Sequence, residues 1–137
     1  MDSKLLKHGA FSWFELMTKD VEGAKDFYRK LFGWETEEMP IEGMEGMEGM
    51  KYTVIKVDGD PVAGLTGMPP ECQGMPPAWG VYITVDDVDV TAARVEELGG
   101  KLLRPPMDIP KVGRFCVIQD PQGAALCAMT YVKKEGE

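Results

Sequence analysis

The chain has 137 residues, 44% of them hydrophobic and 28% charged, enough to bury one ordinary core and unlike a disordered or fibrous protein. Lys and Arg number 15 against 23 Asp and Glu, a net charge of −8, which excludes sequence-independent nucleic-acid binding because that needs cations to displace phosphate counterions. No apolar run approaches the roughly 20 residues of a membrane span, and the opening Met1–Lys7 lacks the apolar stretch of a secretory signal. Cys72, Cys116 and Cys127 form no CxxC pair and His8 is the single histidine, which argues against a structural zinc site and suits a reducing cytoplasm. The expected protein is cytoplasmic, with neither nucleic acid nor membrane as a partner.

In chain order, Trp13–Met17 alternates as a strand does. Asp20 is a good N-cap for a helix carrying Val21, Ala24, Phe27, Tyr28 and Leu31, with Gly33 as its stop. Trp34–Glu38 and Tyr52–Val57 read as strands, and the turn Asp58-Gly59-Asp60-Pro61 leads into a third, Val62–Thr66. After a proline-rich connector the order repeats: strand Val81–Val85, then an Asp87-capped helix with Val88, Ala92, Val95 and Leu98, ended by Gly99-Gly100. Lys101–Arg104, Phe115–Gln119 and Ala124–Tyr131 are the closing strands, with a turn at Asp120-Pro121-Gln122-Gly123.

An offset of 67 residues maps Asp20 onto Asp87, Leu31 onto Leu98 and Gly33 onto Gly100. After the second strand the offset falls to 62, mapping Asp58 onto Asp120 and Ala63 onto Ala125, so the first half carries extra residues at Glu42–Met50. The expectation is one domain over residues 1–137, built from a first module at about 9–68, a connector at 69–77 and a second module at about 78–132. The fold class is α+β: two tandem βαβββ modules whose curled mixed sheets surround a cup, with the helices outside. Strand parity puts Phe14 and Leu16 on the helix side and Trp13, Glu15 and Met17 on the other; in the second module Val81, Ile83 and Val85 oppose Gly80, Tyr82 and Thr84. An aromatic, mildly polar face of this kind suits a small-molecule site.

Trp13-Phe14-Glu15-Leu16…Asp20…Ala24…Phe27-Tyr28…Leu31-Phe32-Gly33-Trp34 resembles the opening module of the vicinal oxygen chelate superfamily of glyoxalases, bleomycin-resistance proteins and extradiol dioxygenases. Trp79…Tyr82…Val85-Asp86-Asp87-Val88, Leu98-Gly99-Gly100, Val112-Gly113-Arg114 and Asp120-Pro121-Gln122-Gly123-Ala124 look like its second module. The similarity covers residues 9–132 and is closest to the bacterial branch labelled glyoxalase-like or hydroxylase. In metal-dependent members His, Glu or Gln ligands come from the first and last strands of each module. By position these slots fall at Trp13, Gly80, near Leu65 and at Cys127, none of them His, Glu, Asp or Gln. No cofactor and no metal residue is therefore predicted.

Glu15, a carboxylate on an aromatic face, is the candidate acid, base or hydrogen-bond anchor. Trp13, Glu15, Tyr52, Trp79, Tyr82, Arg114, Cys127 and Met129 are the expected ligand-binding residues. Arg114, taken as the counterpart of Tyr52, would grip an anion or make a surface ion pair. The Met-Glu-Gly repeat at Gly43–Met50 is expected to be a loop beside the cup. The resemblance implies association by two-fold symmetry, so a homodimer is expected. The implied function is binding of a small apolar or aromatic molecule without metal, for sequestration or metal-independent chemistry. The alternative is a metal-dependent lyase, isomerase or dioxygenase, for which His8, Glu15 and one of Glu35, Glu37 or Glu38 would have to converge.

Overall fold

Alternating apolar residues and well-capped amphipathic segments produce, in a computed structural model that describes residues 2–41, 51–68 and 74–132, an α+β chain of eight strands and two helices. A short 3-10 turn, Ser3–Leu6, precedes β1 (Phe11–Thr18), α1 (Val21–Phe32), β2 (Glu35–Pro40), β3 (Lys51–Val57) and β4 (Asp60–Gly67). Then come β5 (Ala78–Thr84), α2 (Val88–Val95), β6 (Lys101–Ile109), β7 (Gly113–Gln119) and β8 (Ala125–Tyr131). The order is βαβββ twice. The tract 42–50 and the first five residues of the connector, 69–73, lie outside the described residues. No helix among the described residues is long and apolar enough to cross a membrane.

The caps act as their chemistry dictates. The Asp20 carboxylate accepts from the amide of Gly23 and the Asp87 carboxylate from those of Asp89 and Val90, satisfying donors that a helix start leaves open. Gly33 closes α1 at φ 74°, its N–H reaching the Arg29 carbonyl, a left-handed position that glycine takes without steric penalty. The second helix is shorter than its apolar spacing suggests, ending at Val95. Strand β6 is longer, running through Pro105 and Pro106; it pairs only with β7, so one side of it is an edge, where proline is tolerated.

Two compact units divide the chain, Trp13–Gly80 and Met1–Ser12 with Val81–Glu137. The boundary thus runs through β1 and β5. In the first unit the hydrogen-bonded order is β2-β3-β4-β1, antiparallel except for the parallel β4/β1 pair. Its core is Leu16, Ile55, Ala63 and Leu65, with Val21, Ala24, Tyr28 and Trp34 packed against them. In the other unit the order is β5-β8-β7-β6, parallel only at β5/β8. Val85, Val88, Ala92, Cys116 and Ala128 form its core. Each helix therefore covers one face of its strands, leaving the opposite face helix-free.

The duplication holds, with a different register at its end. Glu15 pairs with Gly64 as Tyr82 pairs with Cys127, and Val54 with Gly64 as Val117 with Cys127. The last strands thus correspond at 63 residues (127 − 64), not 62. A one-residue slip exchanges sheet faces. Leu65 accordingly lies in the α1 core, and Gly64, not Leu65, is the counterpart of Cys127. By the same step Phe115, not Arg114, corresponds to Tyr52.

Candidate functional site

On the helix-free face of the first unit, Glu15, Gly64, Val54 and Glu37 form one row across β1, β4, β3 and β2. Tyr52 belongs to the same face and lies across the glycine: a Cβ added at Gly64 would stand 1.6 Å from the phenolic oxygen. The absent side chain lets the phenol reach β1, where the Trp13 indole Nε1 donates to Tyr52 Oη at 2.8 Å. Two large aromatic groups are thereby fixed beside the half-buried Glu15. Lys56 and Glu37 form an ion pair farther along the face. Met17 pairs with Thr66, whose hydroxyl is buried and has no hydrogen-bond partner among the described residues. Such a group typically costs about 1–3 kcal/mol to leave unsatisfied.

Two adjacent rows lie in the middle of the helix-free face of the other unit. The first is Arg104, Val117, Cys127 and Tyr82, across β6, β7, β8 and β5; the second is Met107, Phe115, Met129 and Thr84. Tyr82, Phe115 and Met129 are buried, whereas Arg104 and Cys127 are half-buried. The Tyr82 and Phe115 rings lie 6.4 Å apart at 47°. The Arg104 guanidinium carbon stands over Phe115 at 5.7 Å from the ring centroid, within reach of cation–π attraction. These two rows are apolar and aromatic with Arg104 at their β6 end, and the next row on the same face brings Lys101, paired with Gln119.

The expected residues fall into distinct places. Trp13, Glu15 and Tyr52 come together in one unit, and Tyr82, Cys127 and Met129 share a face in the other. Trp79 stands apart: its indole donates to the Tyr28 hydroxyl at 3.2 Å and packs edge-on against Trp34, on the α1 side. Arg114 is also elsewhere, its Nε and Nη2 on the Asp89 carboxylate of α2 at 3.0 and 3.1 Å and its Nη1 on Asp108 at 3.2 Å. These bonds, to Asp89 first, raise the guanidinium's affinity for its proton. His8 accepts from the Asp86 amide at 3.0 Å, Glu37 pairs with Lys56, and Glu38 with Lys25. Cys116 is buried in the α2 core, where desolvation raises its thiol pKa.

Gly64, Thr66, Arg104 and Phe115 are not singled out by the sequence pattern as site residues. A glycine inside a strand pattern was the available signal for Gly64, since it often marks close approach of another group. Arg104 was hidden because the β6/β7 register shifts on both sides of it.

The metal slots implied by the family resemblance do not suit a divalent cation. The Trp13 nitrogen is a donor already bonded to Tyr52, Gly80 has no side chain, Leu65 lies in the helix-side core, and Gly64, which takes its slot in the observed register, has no side chain either. That leaves Cys127, and one thiolate does not hold such an ion against water. Among the described residues no three His, Cys, Asp or Glu side chains converge.

Comparison with known proteins follows this geometry. A model of the Glyoxalase/Bleomycin resistance protein/Dioxygenase superfamily matches residues 10–128. A Mycobacterium tuberculosis protein named "Putative glyoxylase CFP32" is 40% identical over 121 residues, 88% of this chain and 45% of that one. The anthracycline biosynthesis protein DnrV of Streptomyces peucetius is 36% identical over 140 residues, 93% of this chain and 49% of its own length. The chain thus spans about half the length of these two relatives. Among solved structures, a Streptomyces coelicolor methylmalonyl-CoA epimerase variant in complex with 2-nitronate-propionyl-CoA superposes with a TM-score of 0.67. That match covers 96% of this chain and 100% of the epimerase at 18% identity, a likeness of fold and not of reaction.

Proposed function

We propose a function from one established premise: the chain belongs to the Glyoxalase/Bleomycin resistance protein/Dioxygenase superfamily. On our reading it binds a small, largely apolar or aromatic molecule against its helix-free sheet faces, without a resident metal. The observation that carries this is Tyr52 lying across Gly64 to meet the Trp13 indole. Where a last-strand ligand side chain would stand, an aromatic surface stands instead. Such surfaces favour flat apolar molecules, while a few polar groups set orientation. Glu15 supplies one such group, as hydrogen-bond anchor or as acid and base. The orphan Thr66 hydroxyl is a second candidate partner for a ligand or water. An aromatic ligand also agrees with the anthracycline in the name of the Streptomyces relative.

Sequestration needs only this binding, and metal-independent chemistry would add proton transfer at Glu15. We further propose a homodimer, the arrangement two-fold association most often gives. Native mass spectrometry tests these points together, before and after incubation with Ni(II), Zn(II) and Fe(II). The expected spectrum is a dimer that gains no stoichiometric metal. One tightly held ion per chain would overturn the metal-free reading and favour a lyase, isomerase or dioxygenase.

A further inference from the structure

We infer that the aromatic surface of α1 is the face on which a second copy of this chain docks. The inference rests on the homodimer proposed above and names the surface that forms it. Four apolar side chains stand out from this side of the first unit: Phe27, Leu31 and Phe32, at 58%, 58% and 59% exposure, and Trp79 at 43%. The Tyr28 ring joins three of them, with centroids 5.1 Å from Phe27, 6.1 Å from Phe32 and 5.6 Å from Trp79. Leu31 follows Phe27 one turn along the same side of the helix. Trp34 completes the cluster, 5.0 Å from Phe32 and 6.1 Å from Trp79. A continuous exposed apolar patch marks an interaction site, and aromatic rings are the usual anchors of protein interfaces.

The fold itself does not require this surface. The 67-residue offset puts Arg94, Gly99 and Lys101 where the first module has Phe27, Phe32 and Trp34. The second helix nevertheless buries Val88, Ala92 and Val95, whereas α1 buries no residue fully. Phe27 and Phe32 thus add aromatic area to the outside of one helix. Charge selects what covers it. With a net charge of −8, the chain repels an anionic membrane, and two copies repel each other along most approaches. Along α1, however, Glu22 and Asp26 are balanced by Lys25, Arg29 and Lys30. Both acids precede Arg29 and Lys30, so antiparallel pairing about a two-fold axis lays the acidic start of one helix against the basic end of the other. The outer strands are poorer candidates. Strand β2 carries Glu35, Glu37 and Glu38, and β6 carries Pro105 and Pro106, both devices that deter edge pairing.

Sedimentation velocity over a range of protein concentrations tests the surface. The wild type should sediment as a dimer. Phe27→Glu combined with Phe32→Glu should weaken that dimer by about 100-fold or more, the scale of losing a central aromatic anchor. Val90→Glu, at an exposed position of α2, should leave it unchanged. A dimer that survives the combined substitutions overturns the surface but leaves the homodimer standing. An equal loss of dimer in Val90→Glu also overturns the surface, since added negative charge alone would then be the cause. A wild type that stays monomeric overturns the surface and the homodimer together. Should the glutamate variant not fold, Phe27→Ala combined with Phe32→Ala decides: a dimer weakened about 10-fold or more supports the surface, and an unchanged one overturns it.

Discussion

Gly64 is the residue where one added methyl group would be felt most sharply. Its missing Cβ is the space occupied by the Tyr52 phenol, and the phenol in turn holds Trp13. Gly64→Ala would force the tyrosine off the strand and break the indole bond. We expect a loss of about 1–3 kcal/mol in urea denaturation, the scale of overpacking a fitted site. The control is the same substitution made in a Tyr52→Ala background, where the space is empty and the added methyl should cost little. Equal costs in both backgrounds would mean that strand conformation, not the tyrosine, is what demands glycine. The same argument explains why Trp13 and Tyr52 could each be proposed as site residues from residue type, while the glycine beneath them could not. Nothing in a single sequence says which aromatic ring crosses which strand.

Between elements, the contact that most clearly ties helix to strand is Lys25 of α1 with Glu38 of β2, at 2.6 Å. The bond to Glu38 raises the Lys25 pKa, and the bond from Lys25 lowers that of Glu38. The depressed carboxyl contributes stability above its ordinary value of 4.5, and this is lost as pH falls through its folded value. The raised ammonium contributes below 10.5 and loses that contribution as pH rises through its own folded value. Glu38→Gln should therefore lower the melting temperature at neutral pH, with the gap to wild type closing in acid below 4.5. A gap that stays constant from pH 3 to 7 would show that the pair adds no pH-dependent stability. Helix starts and stops were legible at this scale because Asp20, Gly33 and Asp87 act locally, through their own amides and φ. Sheet faces were legible only as far as the register was. Aligning turns made Arg114 the repeat counterpart of Tyr52, whereas the strand register makes Phe115 that counterpart, and one residue decided which side chain faces α2. Pro105 and Pro106 likewise read as a strand end, yet β6 continues through them along its open side.

At the scale of the molecule, the compact units do not coincide with the repeated modules. The opening residues leave their own module and join the second: Gly9 N–H bonds Thr84 O at 2.7 Å and Thr84 N–H bonds Ala10 O at 2.8 Å. The Thr84 hydroxyl reaches Leu5 O, and the Asp86 amide reaches His8 Nδ1. Deleting residues 2–10 removes these four bonds, so we expect roughly 2–6 kcal/mol of lost stability at the usual net worth of a hydrogen bond. Urea denaturation of the shortened chain measures it, and an unchanged midpoint would make the segment a dispensable tail. Ser12 bonds the Tyr131 hydroxyl at 2.8 Å across 119 residues of chain. At synthesis rates of about 5–20 residues per second, Ser12 is added to the chain about 6–24 s before Tyr131 is. Closure of the second unit consequently waits on Tyr131 and joins residues that are made at widely separated times.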